Sequence, residues 1–193
     1  MPPAITIESL TPERLQDYLR FFDTRALADN AEWDGCFCYY PLHDPQQTDW
    51  KQRTGPENRE AVSDCILRGQ AQGFLAYLDG EVVGWCSAGS GELYPMLRGG
   101  RSMTETTGVV DCFVVAPEMR GQGIAAALDA ACAGLQTQGL SEVMARPQRN
   151  ATSAAENHLG PLSMYLHAGF EVVSERPDGT VRVRKALTSE LPQ

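Results

Sequence analysis

The chain has 193 residues, of which 42% are hydrophobic, 21% charged and 8% aromatic, as in a globular domain with a core large enough to fold alone. A formal net charge of −9 argues against nucleic acid as a partner and favours a cationic one. No apolar run approaches the ~18–20 residues of a membrane span, and no signal peptide is evident, so we expect a cytoplasmic protein without a membrane partner.

The first third of the chain predicts one strand, two helices and an irregular segment. Residues 5–7 alternate as in a short strand. Thr11 caps a helix with Pro12 at its first position, and apolar residues continue at a period of 3.6. An irregular segment rich in aromatic residues and cysteine spans 30–54, and a second helix is expected over 57–69.

The remainder of the chain predicts two hairpins and a strand–helix–strand unit between them. Asp79-Gly80 separates two β-like runs and supplies the positive φ angles of a tight turn. Gly169 is the expected C-cap of a short late helix. The predicted elements after residue 70 are strands 74–78, 81–87 and 107–115, helix 123–138, strand 141–145, helix 161–167, and strands 171–174 and 180–185.

This order of elements predicts an α+β fold with a central mixed, mostly antiparallel sheet flanked by helices. We expect a single domain over residues 1–193, with its core at about 5–187 and the 30–54 segment as an insertion. The six cysteines are expected to be reduced, because four of them fall in apolar helix-like or strand-like segments and no secretory signal is present.

The junction between strand 107–115 and the following helix reads Arg120-Gly121-Gln122-Gly123-Ile124-Ala125. Unpaired N–H groups at a helix N-terminus bind anions, glycine lets a ligand approach the backbone, and the arginine adds positive charge. A P-loop is excluded because no Lys-Ser or Lys-Thr follows the glycines, and the three-glycine dinucleotide fingerprint is absent.

The junction fits the pattern [Gln/Arg]-x-x-Gly-x-[Gly/Ala], and here the sequence resembles the GNAT superfamily of acyl-coenzyme A-dependent N-acyltransferases. The context strengthens the resemblance, because the strand "DCFVV" and the turn "APEM" precede the motif and an amphipathic helix follows it. Downstream, "LSMYLHAGFEVV" is similar to the late helix and strand of the superfamily, with Tyr165 before Gly169-Phe170. The resemblance covers nearly the whole chain.

The resemblance implies that the strand before the motif splays from its neighbour and binds acetyl-CoA as co-substrate. The last backbone groups of that strand would bond the pantetheine arm, and the amides of the motif would hold the pyrophosphate. The residues so implied are Phe113, Val114 and Val115 for the arm, and Arg120, Gly121, Gln122, Gly123, Ile124 and Ala125 for the pyrophosphate.

The same resemblance implies transfer of an acetyl group to a primary amine, which attacks the thioester directly. The expected acceptor is a small molecule. A backbone N–H near Val114 or Val115 would stabilise the oxyanion, and Tyr165 would protonate the departing thiolate as general acid. Because proteins of this kind are commonly dimeric, a homodimer is expected.

Asp111 is the candidate general base. Strand alternation places Val109, Asp111, Phe113 and Val115 on one face, so the carboxylate would be desolvated near the cleft and its pKa raised. Alternatively, Asp111 caps a neighbouring backbone group or pairs with an arginine. The resemblance does not settle the identity of the base.

The segment "EWDGCFCYYPLHD" predicts an aromatic lid over the acceptor side of the cleft. Cys36, Cys38 and His43 are spaced too closely for a zinc site, and no metal is expected. The aromatic residues assigned to the lid are Trp33, Phe37, Tyr39, Tyr40 and Trp50, with Trp85 on the opposite wall within 84–97. The alternative is that these side chains fill the core.

The sequence leaves two other functions open. One is a non-catalytic acyl-CoA-binding or regulatory module that has kept the fold. The other is an acetyltransferase acting on a protein N-terminus or lysine, for which an open groove would be expected in place of an enclosed cleft.

Overall fold

The helices and strands follow each other in the predicted order. The computed structural model describes residues 5–30, 32–97, 104–121, 126–151 and 156–187, with Glu156 described by its backbone only. The strands are β1 Thr6–Ser9, β2 Gly73–Leu78, β3 Glu81–Ser90, β4 Thr107–Val115, β5 Glu142–Ala145, β6 Glu171–Glu175 and β7 Val181–Ala186. The helices are α1 Leu15–Thr24, α2 Gly55–Leu67, α3 Ala126–Thr137 and α4 Leu162–His167. Across these residues, no helix is long and apolar enough to cross a membrane.

All seven strands belong to one sheet, in the order β1-β2-β3-β4-β5-β7-β6. Neighbouring strands run antiparallel except β4 and β5, which are parallel. The helices flank this sheet. The prediction of a single α+β domain around a mixed, mostly antiparallel sheet is therefore confirmed.

Local sequence signals explain several element boundaries. Asp79 and Gly80 both have positive φ angles, of 51° and 83°, which is the backbone of a type I′ turn between β2 and β3. α2 begins at Gly55 rather than at residue 57, because Thr54 and Glu57 form a reciprocal capping box. In the described part of the 30–54 insertion, residues 30 and 32–54, the only regular structure is two short 3₁₀ turns.

The core lies between the sheet and the two helices α1 and α3, which pack on its central strands. The Tyr18 ring of α1 packs edge-on against Trp85 of β3, with centroids 5.1 Å apart. On α3, Gly134 lets the helix lie directly on β2, since a Cβ there would sit 2.4 Å from the Phe74 ring.

The gap that defines the candidate site opens where β4 and β5 separate. These strands pair only from Thr107 to Val109 of β4, and β5 ends at Ala145. A β-bulge lies just beyond: Cys112 opposes Ser87 and Val110 opposes Ala88, which leaves Asp111 as the extra residue. The bulge breaks the strict alternation that was predicted for residues 109–115.

Candidate active site

A cleft of about 1240 Å³ opens beside the free end of β4. Its walls come from three parts of the chain that are distant in sequence: the 30–54 insertion with the start of α2, the second half of β4 with the turn after it, and residues 157–164 before and within α4. A cleft of this size suits a cofactor together with a small second ligand.

The floor of the cleft is the unpaired edge of β4, lined by Phe113, Val114 and Val115 as predicted. The Ala116 N–H donates to the Val83 carbonyl of β3 at 3.0 Å. Because the backbone groups of an antiparallel strand point alternately to its two sides, those of Val114 also face β3, and those of Val115 and Phe113 face the gap.

At the end of this edge, Arg120 and Gly121 line the cleft. Gly121 has φ = 76°, and a Cβ at this position would meet nothing within 4 Å, so the space beside the backbone is open. The remaining predicted phosphate-binding residues, Gln122, Gly123, Ile124 and Ala125, lie outside the residues that the structure describes.

The positive charge that Arg120 was predicted to add at this junction is paired with a carboxylate. Its guanidinium forms two hydrogen bonds with the Asp29 carboxylate, one of them between Nη2 and Oδ1 at 2.9 Å. The hydrogen bonds from Arg120 lower the pKa of Asp29, so the carboxylate stays ionised and partly neutralises the arginine. Asp29 is far away in sequence, and no local pattern indicated this contact.

Asp111 lines the cleft and is 8% exposed. Burial raises the pKa of the Asp111 carboxyl, while the positive charge of Arg146, whose Nη2 is 3.4 Å from Oδ1, opposes the rise. A smaller opposing effect comes from His158. The sequence left a desolvated base and an arginine pair as alternatives, and the structure shows both features at one residue.

Tyr165 is fully buried, and its hydroxyl donates to the Leu159 carbonyl at 2.7 Å. The ring lies immediately behind the cleft wall: a Cβ on Gly160 would be 3.1 Å from the Tyr165 ring and 3.2 Å from that of Phe113. Burial raises the pKa of the phenol well above its usual value, so it keeps its proton at neutral pH. The role of general acid stays a prediction.

Three of the aromatic residues assigned to the lid line the cleft, namely Trp33, Tyr40 and Trp50. The Trp33 ring stands edge-on to His158, with centroids 4.6 Å apart, and so joins the insertion to the 157–164 wall. Tyr40 and Trp50 form a corner, with centroids 5.0 Å apart and ring planes at 84°. Such perpendicular aromatic faces are suited to an apolar or cationic ligand.

The structure does not bring Trp85 or Tyr39 to the cleft wall. Trp85 is 3% exposed and packs in the core against Tyr18, because its position on β3 faces α1. The whole 84–97 segment, assigned to the opposite wall, is absent from the cleft lining. Tyr39 faces Arg53, whose guanidinium carbon is 4.8 Å from the ring centroid. Phe37 packs against Phe22 in the core.

The cysteines of the insertion meet β4 at the cleft. Cys36, Cys38 and Cys112 all line it, and all six cysteines of the chain are free thiols. Burial raises the pKa of Cys36 to about 11, and the hydrogen bond with Cys38 raises that of Cys112. Neutral thiols are poor nucleophiles. Among the residues described, no three metal-ligating side chains come together.

Sequence reasoning missed two polar residues of the acceptor side, Arg53 and Asn58. They lie at the start of α2 and line the cleft beside Trp50 and Gly55. The insertion loop contacts α2 closely here, since a Cβ on Gly35 would be 2.8 Å from the Gly55 Cα. The capping box at Thr54 was visible in the sequence, but nothing local showed that this helix start faces the cleft.

An open sheet splayed at one parallel strand pair, with a cleft at the splay and a glycine turn at its end, is the arrangement that the resemblance to acyl-coenzyme A-dependent transferases implies. The sequence profile described as "Acetyltransferase (GNAT) family" matches residues 27–160. The chain therefore belongs to the GNAT family of acetyltransferases. A search of curated proteins finds no match.

Solved structures agree with this assignment at the level of the fold. An N-acetyltransferase from Staphylococcus aureus Mu50 is 17% identical, with a TM-score of 0.57 over 96% of this chain and 99% of that one. The paia N-acetyltransferase of Thermoplasma acidophilum, in complex with coenzyme A, is 15% identical (TM-score 0.57; 95% and 99% covered). A putative acetyltransferase of Salmonella typhimurium with its cofactor acetyl-CoA is 16% identical (TM-score 0.58; 98% and 97% covered).

Proposed function

We propose that the protein is an acetyl-CoA-dependent N-acetyltransferase that acetylates the primary amine of a small molecule. The observation that carries the proposal is the cleft beside the splayed end of β4, with Gly121 opening space where the chain turns towards α3. The Thermoplasma and Salmonella structures, which share the fold, hold coenzyme A and acetyl-CoA respectively.

The edge of β4 would position the cofactor. Backbone groups of Phe113 and Val115 face the gap and can bond the amides of a pantetheine arm laid along the strand. Acetyl-CoA, when bound, supplies an activated thioester. Of the two candidates for stabilising charge on the thioester oxygen, Val115 directs its N–H to the gap, whereas Val114 faces β3.

Asp111 would remove a proton from the acceptor amine. Amines are mostly protonated at neutral pH and must lose a proton before they can attack the thioester. Burial makes the Asp111 carboxylate more basic than an ordinary aspartate, and the positive charge of Arg146 limits that rise in pKa. Tyr165, behind the opposite wall, retains its proton and could deliver it to the departing thiolate if it released the Leu159 carbonyl.

The acceptor side favours a small molecule. Trp33, Tyr40 and Trp50 surround it with aromatic faces, and Glu32 and Asp34 add negative charge that attracts a protonated amine. The Trp33–His158 contact joins the insertion to the 157–164 wall and so limits the width of the cleft on this side. An extended peptide would need an open groove here.

The test is release of coenzyme A from acetyl-CoA in the presence of separate panels of small primary amines and of peptides with a free N-terminus or lysine. We expect release with small amines and only background release with peptides or without acceptor. Turnover with peptides alone would identify a protein acetyltransferase. A rise in melting temperature with acetyl-CoA, but no release with any acceptor, would indicate a binding module.

A further inference from the structure

We propose that the acceptor carries a carboxylate as well as its amine, and that Arg53 binds this carboxylate at the acceptor end of the cleft. The proposal rests on the function proposed above and names the substrate class for the same site: an amino acid or a related small amino carboxylate. Arg53 lines the cleft between the Trp50 turn and the start of α2.

The Arg53 guanidinium is held in one orientation by three contacts. Its Nε–H donates to Asn58 Oδ1 at 2.6 Å, its Nη2 donates to the Glu57 carbonyl at 3.0 Å, and its face lies over the Tyr39 ring. Asn58 is itself 4% exposed and fixed by a hydrogen bond to the Gly35 carbonyl. A guanidinium fixed in advance loses little entropy on binding, so it suits the planar recognition of a carboxylate.

The charge of Arg53 is not neutralised within the cleft wall. Of the described residues that line the cleft, two are arginines, and Arg120 is paired with Asp29. Arg53 forms no ion pair with any carboxylate that the structure describes. The neighbouring Glu57 carboxylate, outside the cleft lining, accepts hydrogen bonds from the Thr54 N–H and hydroxyl, at 2.7 and 2.9 Å. These bonds lower the pKa of Glu57, and the positive charge of Arg53 adds a smaller effect in the same direction.

Arg53 thus presents a fixed positive charge to the cleft of a protein whose net charge is −9. Asp34 and Glu32 line the same cleft but form no ion pair with Arg53. A carboxylate of the ligand would accept hydrogen bonds from the Arg53 guanidinium. Such charge-assisted hydrogen bonds are among the strongest polar contacts available. The acidic residues elsewhere in the cleft would then receive the amine.

The amine and the carboxylate of the ligand would thus be bound by different parts of the chain. Asp111 on β4 would face the amine near the thioester, and Arg53 on the insertion side would face the carboxylate. The Tyr40–Trp50 corner lies beside Arg53 and can contact the side chain of the ligand. This arrangement would select against amines that lack a carboxylate.

The experiment compares common L-amino acids with the corresponding carboxamides, which keep the amine and side chain and lose the negative charge. kcat and KM are measured from coenzyme A release for wild type, Arg53→Gln and Arg53→Lys. Arg59→Gln is the matched control, because Arg59 lies on the adjacent helix α2 but pairs with Asp23 outside the cleft. Melting temperatures verify that each variant is folded.

We expect wild type and Arg59→Gln to prefer at least one amino acid over its carboxamide by roughly 10- to 100-fold in kcat/KM, the range for a charge-assisted hydrogen bond. Arg53→Gln should abolish the preference by raising the acceptor KM, with the KM for acetyl-CoA within about 2-fold of wild type. Arg53→Lys should restore part of the preference, since lysine supplies the charge but not the fork.

Three results would overturn the proposal. The first is a preference that survives in Arg53→Gln. The second is a rise in the KM for acetyl-CoA alone, which would assign Arg53 to the cofactor. The third is an equal or better reaction of the carboxamides with wild type.

If no acceptor is turned over, the proposed function fails separately, and binding still tests Arg53. Each amino acid and its carboxamide is then titrated into the wild-type protein–coenzyme A complex and into the Arg53→Gln complex. Selective binding of an amino acid by wild type alone supports the proposal, and binding of neither compound by wild type refutes it.

Discussion

The Asp111 carboxylate lies 3.4 Å from the Arg146 guanidinium, just beyond the point where β4 and β5 separate. The two residues have opposite effects on the same proton. Burial of Asp111 raises its pKa, and the positive charge of Arg146 limits this rise. The β-bulge at Asp111 is what re-aims this side chain into the cleft, and bulges commonly have this effect beside active sites.

The first prediction concerns the pH dependence of kcat/KM. A base works only when deprotonated, so activity should fall as the pH is lowered through the raised pKa of Asp111, above the ordinary range of an aspartate. Arg146→Gln removes the opposing charge, so it should move this acidic limb to higher pH. Asp111→Asn should abolish the limb and lower kcat by roughly 10²–10⁴-fold.

The pH–rate profiles of wild type, Arg146→Gln and Asp111→Asn test whether Asp111 is the general base. Asp111→Asn with near wild-type activity and an unchanged acidic limb would show that another group, or water, acts as base. A limb that moves to lower pH in Arg146→Gln would contradict the assigned electrostatic effect of the arginine.

The second prediction concerns Tyr165→Phe. As general acid, the phenol should contribute roughly 10²–10⁴-fold to kcat, with little effect on the affinity for acetyl-CoA. The variant also loses the hydrogen bond to the Leu159 carbonyl, which should cost about 1 kcal/mol of stability. Single-turnover rates and melting temperatures separate the two effects.

Tyr94→Phe is the matched control, because Tyr94 is also fully buried and bonds a side chain, Ser87, away from the cleft lining. It should lower the melting temperature without lowering kcat. If Tyr165→Phe behaves in the same way as Tyr94→Phe, Tyr165 is a packing residue.

The third prediction concerns the Arg120–Asp29 pair. Asp29→Asn releases the arginine from its carboxylate and should lower the KM for acetyl-CoA by up to roughly 5-fold, as expected for an exposed ion pair of at most about 1 kcal/mol. Arg120→Gln should raise the same KM. Asp23→Asn is the control, since Asp23 is an exposed carboxylate that pairs with Arg59 outside the cleft. An unchanged KM in both Arg120 and Asp29 variants would remove Arg120 from the phosphate site.

What could be predicted from the sequence is what depends on residues close together in the chain. The Asp79-Gly80 turn and the left-handed Gly169 after α4 are local conformational requirements, and both are present in the structure. Pro12 begins a helical turn as predicted, but this is a 3₁₀ turn ahead of α1, and the Thr11 side chain makes no capping hydrogen bond. The β4–α3 junction was found in the same way, because its glycines and arginine are consecutive.

What could not be predicted depends on tertiary contacts. The insertion has no period, so the sequence could not show that Tyr40 faces the cleft while Tyr39 faces Arg53. Trp85 sits on a strand buried on both faces, where alternation does not distinguish core from cleft. Asp29, the partner of Arg120, is distant from it in sequence, and no motif could reveal their contact.

The last prediction concerns the aromatic corner. The Tyr40 ring is held against Trp50 and is 43% exposed, so it offers an aromatic face to a ligand in the cleft. Tyr40→Ala and Trp50→Ala should each raise the acceptor KM by roughly 10-fold or more, the equivalent of losing an aromatic contact of about 1.5–3 kcal/mol, and leave the KM for acetyl-CoA nearly unchanged. Tyr40→Phe should resemble wild type, because the proposed contact uses the ring.

Leu67→Ala changes an exposed apolar residue of α2 outside the cleft lining and is the control for general surface effects. Steady-state kinetics with both substrates varied give the two KM values, and a loss confined to acetyl-CoA would place the cofactor, not the acceptor, against Tyr40 and Trp50.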